Sequence, residues 1–158
     1  MISTEDMVDL VYSPEFVARI IHRFISGAMS VSNIGIKFEL VYFLLPLVMN
    51  ESIRKQLLRV NKASYFDKIS DLEEMKEQLF NLKENVGETK KFTSNGIIFL
   101  SNIHKLELAP YLSIDQTVSY KDESQKKQEY YRASYYLGLL FAKENHIDIL
   151  LKLRPNCR

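Results

Sequence analysis

Tryptophan is absent from this 158-residue sequence, which also holds one cysteine, five glycines and four prolines. A lone thiol, Cys157, can form neither an internal disulfide nor a cysteine-based metal cluster. So few glycines leave no phosphate-cradling loop, and neither GxxxxGK[ST] nor GxGxxG occurs. GxSxG is missing too, and Cys157 lies in a tail poorly suited to holding a nucleophile in place. Charge of one sign is also lacking. Lys and Arg total 21 against 20 Asp and Glu, so no net field points towards nucleic acid or a membrane. No apolar run reaches the roughly 18 residues needed to span a bilayer. Glu5, Asp6 and Asp9 near the start, with no signal-like apolar region, lead us to expect a reduced, cytoplasmic setting.

What is abundant favours helix. Leu, Ile, Lys and Glu are plentiful, and the length suits one domain with a real core. The longest apolar stretch, Phe38 to Met49 (FELVYFLLPLVM), carries one charge, Glu39. A segment apolar on nearly all sides belongs at the centre of a core when it is too short to cross a membrane. Pro46 removes a backbone donor, so a kink or short break is expected there. From Glu51 to Lys91 acids and bases alternate, as they do on solvated helix faces.

Helix starts and stops can be placed along the chain. Ser13-Pro14-Glu15 supplies a capping hydroxyl, a proline at the first helical position and an acid facing the dipole. Phe16, Val17, Ile20, Ile21, Phe24, Ile25 and Ala28 then recur at helical spacing, with Arg19, His22 and Arg23 opposite and Gly27 at the end. Asn50 is expected to cap a short helix that turns Ile53 and Leu57 inward. Ser70 and Glu73 form a capping-box pattern ahead of the stripe Leu72, Met75, Leu79, Leu82 and Val86, which Gly87 should break. A helix over about Glu88 to Asn102 should bury Phe92, Ile97, Phe99, Leu100 and Ile103. Between Lys105 and Tyr120, alternation at Leu106 and Leu108 and the β-formers Thr117, Val118 and Tyr120 suggest a small hairpin. Asp122 to Asn145 is the longest periodic stretch, within which Gly138 would permit a close helix contact. A last short helix follows, Ile147 to Leu153. The expected fold is mainly α, a compact helical domain with a small β-hairpin. Helix followed by hairpin is also the order of a winged-helix unit.

Few residues suggest chemistry. His22, His104 and His146 each lack a second ligand at i+3 or i+4, so surface or capping roles are favoured over metal binding. Asp71, Glu73, Glu74 and Glu77 cluster, but Lys68 and Lys76 among them point to a solvated face. No catalytic residue set, cofactor site or metal site is expected. Tyr130, Tyr131, Tyr135 and Tyr136 cover more than one side of a helix. They are either core aromatics with wet hydroxyls or, at Tyr131 and Tyr135, partner contacts. Leu150, Leu151 and Leu153, followed by Arg154, either close the core or dock on another subunit. Lys90 and Lys91 are the candidates for touching DNA.

Several segments, in order, resemble the middle component of bacterial three-component ABC-ATPase systems. SPEFVARIIHRFI is similar to that family's opening Pro-x-Phe helix, and FLLPLVMNESIRKQL to its LPLVL…TR..L block. KASYFDKI and GETKKFTSNGIIFLSNIHKLEL resemble the elements that follow, and YYLGLLFAK…ILLKLRP the closing LG.wFa…LLG.RP signature. The similarity runs from about Ser13 to Pro155. Departures are the absent tryptophan, Asn95-Gly96 in place of a usual alanine-type residue, and Lys152 where the family often has glycine. The resemblance implies a non-catalytic accessory subunit, residues 13–155, with a lead-in over 1–12 and a tail over 156–158. It implies bridging of an SMC-like ABC ATPase and an effector of nuclease type within a Lamassu-type anti-phage or anti-plasmid, DNA-sensing complex. DNA would be met indirectly or weakly, and no membrane would be involved. The alternative is a free-standing winged-helix DNA-binding regulator, which should carry cations on the helix before the hairpin. There, beyond Lys90 and Lys91, the sequence is TSNGIIFLSN.

Overall fold

Ser13 caps the first helix as its sequence context requires. In the computed structural model, which describes residues 12–154, the Phe16 N–H donates to Ser13 Oγ at 3.3 Å. Pro14 opens α1 (Pro14–Met29), where its missing donor costs nothing. Most of the expected lead-in, and the tail with Pro155, Cys157 and Arg158, lie outside the described residues. Val17, Ile20, Ile21, Phe24, Ile25 and Ala28 are buried, so the helical spacing marked the inner face. Two details differ. His22 is buried rather than outward, and Gly27 lies inside the helix, which runs on to Met29.

Gly35 then adopts a φ of 90°, the left-handed region that suits glycine, and turns the chain into strand β1 (Ile36–Lys37). The apolar stretch follows as a 3-10 turn, Phe38–Phe43, and helix α2 (Leu44–Val48). Leu40, Val41, Leu44, Leu45, Leu47 and Val48 are all buried, which makes it the centre of the core. The break expected at Pro46 falls at Phe43–Leu44, where the helix type changes. Pro46 thus sits in the first turn of α2, where it does least harm.

Asn50 caps α3 (Glu51–Leu57), its side-chain oxygen accepting from the Ile53 N–H at 3.1 Å. Next come α4 (Asp67–Ser70), α5 (Glu73–Leu79) and α6 (Leu82–Ser101). The capping box expected at Ser70 and Glu73 does not form. Ser70 closes α4, its hydroxyl is buried without a partner, and Leu72 stands at the α5 N-cap. Nor does Gly87 stop a helix, since α6 runs straight through it. Ile103 is exposed beyond the end of α6 rather than buried.

Strands β2 (Leu106–Glu107) and β3 (Tyr111–Ile114) form the expected hairpin, with Leu106 opposite Ile114 and Glu107 opposite Ser113. Thr117, Val118 and Tyr120 lie outside it. β3 also pairs with β1, Ile36 opposite Leu112, giving an antiparallel sheet of order β1-β3-β2. The chain ends with α7 (Gln125–Ala142) and α8 (His146–Lys152). The described residues are therefore mainly helical, with eight α-helices and one small three-stranded sheet. In that sheet the first strand, β1, lies beside the last, β3.

α1 runs through the middle, packed on α7 along one side and α6 along another. Gly27 and Gly138 bring α1 and α7 together: a Cβ on either would overlap the other helix's backbone. Gly96 does the same for α6, where a Cβ would run into Val17 and Ile21.

Candidate functional site

The C-terminal helix is pinned before it is displayed. Asn145, expected to end α7, instead caps α8, its side chain accepting from the Ile147 N–H at 2.8 Å. Ile149 and Leu153 face inward and are buried. Lys152 Nζ lies 2.7 Å from Glu144 Oε2 and 2.5 Å from Asp67 Oδ1, which ties α8 to α4. Burial works to lower the Lys152 pKa, but hydrogen bonds to the two carboxylates outweigh it and hold it above the usual lysine range. Leu150 is half-buried, while Leu151 is 54% exposed and Arg154 exposed. Phe80, 69% exposed, lines the same shallow cleft as Leu151 and Arg154. Leu153, expected among the partner contacts, belongs to the core because its helical position turns it inward.

The tyrosines divide. Tyr131 is fully buried, with the Arg23 guanidinium 4.0 Å from its ring centroid, so it is a core aromatic and not a surface contact. Tyr136 is buried as well. Tyr135 is half-buried in a cluster with Tyr120, at 5.4 Å between ring centroids, and Tyr136, at 5.7 Å. Arg132 lies over Tyr136 and donates from Nη1 to Tyr120 Oη at 2.8 Å. Tyrosine and arginine together are the usual anchors of protein interfaces.

Lys90 and Lys91 are exposed on α6, above the rings of Tyr42 and Phe92 respectively. Beyond them the exposed positions of α6 are Asn95, Ile98 and Ser101, without charge. A second cleft, of about 300 Å³, opens between α1 and α6. Its lining includes His22 and His104, whose rings lie 4.7 Å apart. His22 Nε2 is 2.7 Å from the Gln116 carbonyl oxygen, to which its N–H form donates, and His104 Nδ1 is 3.4 Å from Asp115 Oδ1. Local spacing had shown these histidines as isolated. Their pairing joins α1 to the hairpin region across about half of the chain, and no local sequence window contains both.

Among the described residues no group of His, Cys, Asp and Glu is placed to hold a metal ion, and no helix is long and apolar enough to cross a membrane. No curated protein and no solved structure shows significant similarity to the chain. One family's sequence model does match, over residues 1–155. The match covers almost the whole chain, so this protein belongs to the ABC-three component (ABC-3C) system Middle Component 3 family.

Proposed function

We propose that this middle component is a non-catalytic accessory subunit that bridges an SMC-like ABC ATPase and an effector, a nuclease in the simplest case. The complex would be a cytoplasmic, Lamassu-type anti-phage or anti-plasmid system that senses foreign DNA. Residues 13–155 would form its single domain. Family membership supports the setting. The observation that carries the docking role is the pairing of exposed Leu151, on a helix pinned by Lys152, with exposed Phe80 in one cleft. Large apolar side chains held rigidly at a surface lose little entropy on binding. Leu150, Arg154 and Tyr135 are the further candidate contacts.

Co-expression with the neighbouring ATPase and effector tests this. Leu151→Asp combined with Phe80→Asp should abolish co-purification with at least one of them and leave the melting temperature within about 2 °C, since exposed positions contribute little stability. ATP hydrolysis or DNA cleavage by the isolated chain, lost on mutation of its own residues, would refute the non-catalytic role.

The regulator reading gains from the hairpin that follows α6. It loses on charge, because phosphate binding needs clustered cations and α6 offers none beyond Lys91. Duplex binding should be weak and salt-sensitive. A dissociation constant near ~10 nM at physiological salt, typical of specific DNA-binders, would favour the regulator instead.

A further inference from the structure

We propose that the cleft between α1 and α6 is a second docking site, and that its occupant is a segment of a partner protein presenting an apolar anchor beside a carboxylate. This rests on the accessory-subunit role and adds a surface distinct from the Leu151 cleft.

The floor of the cleft is apolar, built from Ala18, Phe99, Leu100 and Val118, with Ile103 at its edge. Ile103 is 62% exposed, and Ile98, at the same end of α6, 60%. At about 300 Å³ the space is at the lower limit of ligand pockets, suited to one large side chain and its neighbour.

The charges around it are unevenly committed. Glu15 Oε1 is held by Arg19 Nη2 at 2.6 Å, and Asp115 lies beside His104. Burial keeps His22 neutral more readily than an exposed histidine, so it adds no fixed charge at neutral pH. Arg23 is different. Its Nη1 donates to the Arg19 carbonyl oxygen at 3.2 Å, its guanidinium stacks on Tyr131 and its Nε is buried, so Nη2, which bonds to no described residue, is the nitrogen left for a ligand. Asp122 is near enough for its field to act on Arg23, yet no carboxylate among the described residues stands at ion-pair distance from it. A guanidinium oriented by an aromatic ring, half-buried and uncommitted to an acid, is arranged to receive a carboxylate.

A protein segment fits this site better than nucleic acid does, because the α6 wall is uncharged beyond Lys91 and the space is lined mainly by apolar side chains that an apolar anchor would cover. The C-terminal end of α6 thus presents Ile98 and Ile103 in place of cations.

The test uses the full-length chain with the purified ATPase and effector, titrated separately by calorimetry. Ile103→Asp and Arg23→Gln should each weaken binding to the same one partner by at least about tenfold, as loss of an interface anchor does. Melting temperature, read in parallel, should not move for Ile103→Asp, whose side chain is exposed. Affinity for that partner should fall several-fold between low and physiological salt, as for a charge contact at an interface rim. Unchanged affinities for both partners in Ile103→Asp would overturn this site while leaving the accessory role intact. Failure of the unmodified protein to bind either partner would overturn both. If Ile103→Asp instead abolished binding to a fluorescent DNA duplex, the occupant would be nucleic acid and the proposal wrong.

Discussion

Gly27, Gly138 and Gly87 show how differently one residue type is used in this chain. The first two sit where α1 and α7 cross, and a methyl group on Gly138 would overlap the Phe24 carbonyl oxygen. Backbone cannot move aside as a flexible side chain can, so Gly138→Ala should cost about 3 kcal/mol or more. Gly87 faces open space inside α6. There Gly87→Ala should stabilise by about 0.5–1 kcal/mol, because alanine is the better helix former. Urea denaturation of the two variants should give shifts of opposite sign. His22 supplies a pH dependence. Burial holds its pKa below the usual value; His104 and Arg23 push the same way, and the Gln116 carbonyl and Asp115 push back. Well above about pH 6.5 the folded and unfolded forms are both neutral at this position. As pH falls further, the unfolded chain takes up a proton that the folded one resists, so stability drops until the folded pKa is reached. The melting temperature should fall between pH 7.5 and 5.5, and by less in His22→Gln. Equal falls in both proteins would assign the effect to other groups.

At the scale of elements, short helices persist here through side chains reaching in from elsewhere. α2 has five residues, too few to be stable alone. Arg54 Nη1 donates to the Val48 and Met49 carbonyl oxygens at 3.0 and 3.3 Å, at the end of α2. The same guanidinium reaches Glu129 Oε1 at 3.3 Å and lies over Tyr130, so one side chain connects α2, α3 and α7. Arg54→Leu should cost about 2–4 kcal/mol, since charged donors to buried carbonyls are lost together with an ion pair. Denaturant melts would show it, and Glu129→Gln should cost less because Glu129 is only partly buried. α8 follows the same logic. Ile149 and Leu153 are in the core, so deleting everything after Asn145 should lower stability as well as assembly. A point change at Leu151 separates the two effects where a truncation does not.

For the molecule as a whole, one continuous core runs from α1 through the 3-10 turn and α2 to α7. Leu44 and Leu45 lie at its centre, both fully buried. An unpaired carboxylate there costs several kcal/mol, against the roughly 5–15 kcal/mol that holds a domain together. Leu44→Asp or Leu45→Asp should therefore prevent folding. A soluble variant with unchanged circular dichroism and melting temperature would contradict that placement. The exposed side chains proposed for docking, Leu151, Phe80 and Ile103, are not part of this core, so binding and folding can be altered separately.

Much of this was legible in the chain, and the reason is local. The Ser13 cap, the Asn50 cap and the inner face of α1 each depend on neighbours within one helical turn, and short-range physics decides them. The apolar stretch at Phe38 announced the core because nothing else could cover it. Near-complete similarity to one family was visible for the same reason, as ordered local blocks. Other features depended on distant partners. β1 is two residues long and carries no pattern of its own; it is a strand because β3 lies beside it. Gly87 stays helical because α6 packs on α1, where Gly96 meets Val17 and Ile21. Tyr131 and Tyr135 share a helix and a residue type, yet Arg23 and Phe16 cover the first while the second remains half-open. Which tyrosine or leucine meets solvent, and which histidines meet each other, was decided only by how α1, α6, α7 and α8 pack. Burial belongs to the assembled surface, and no local spacing encodes it.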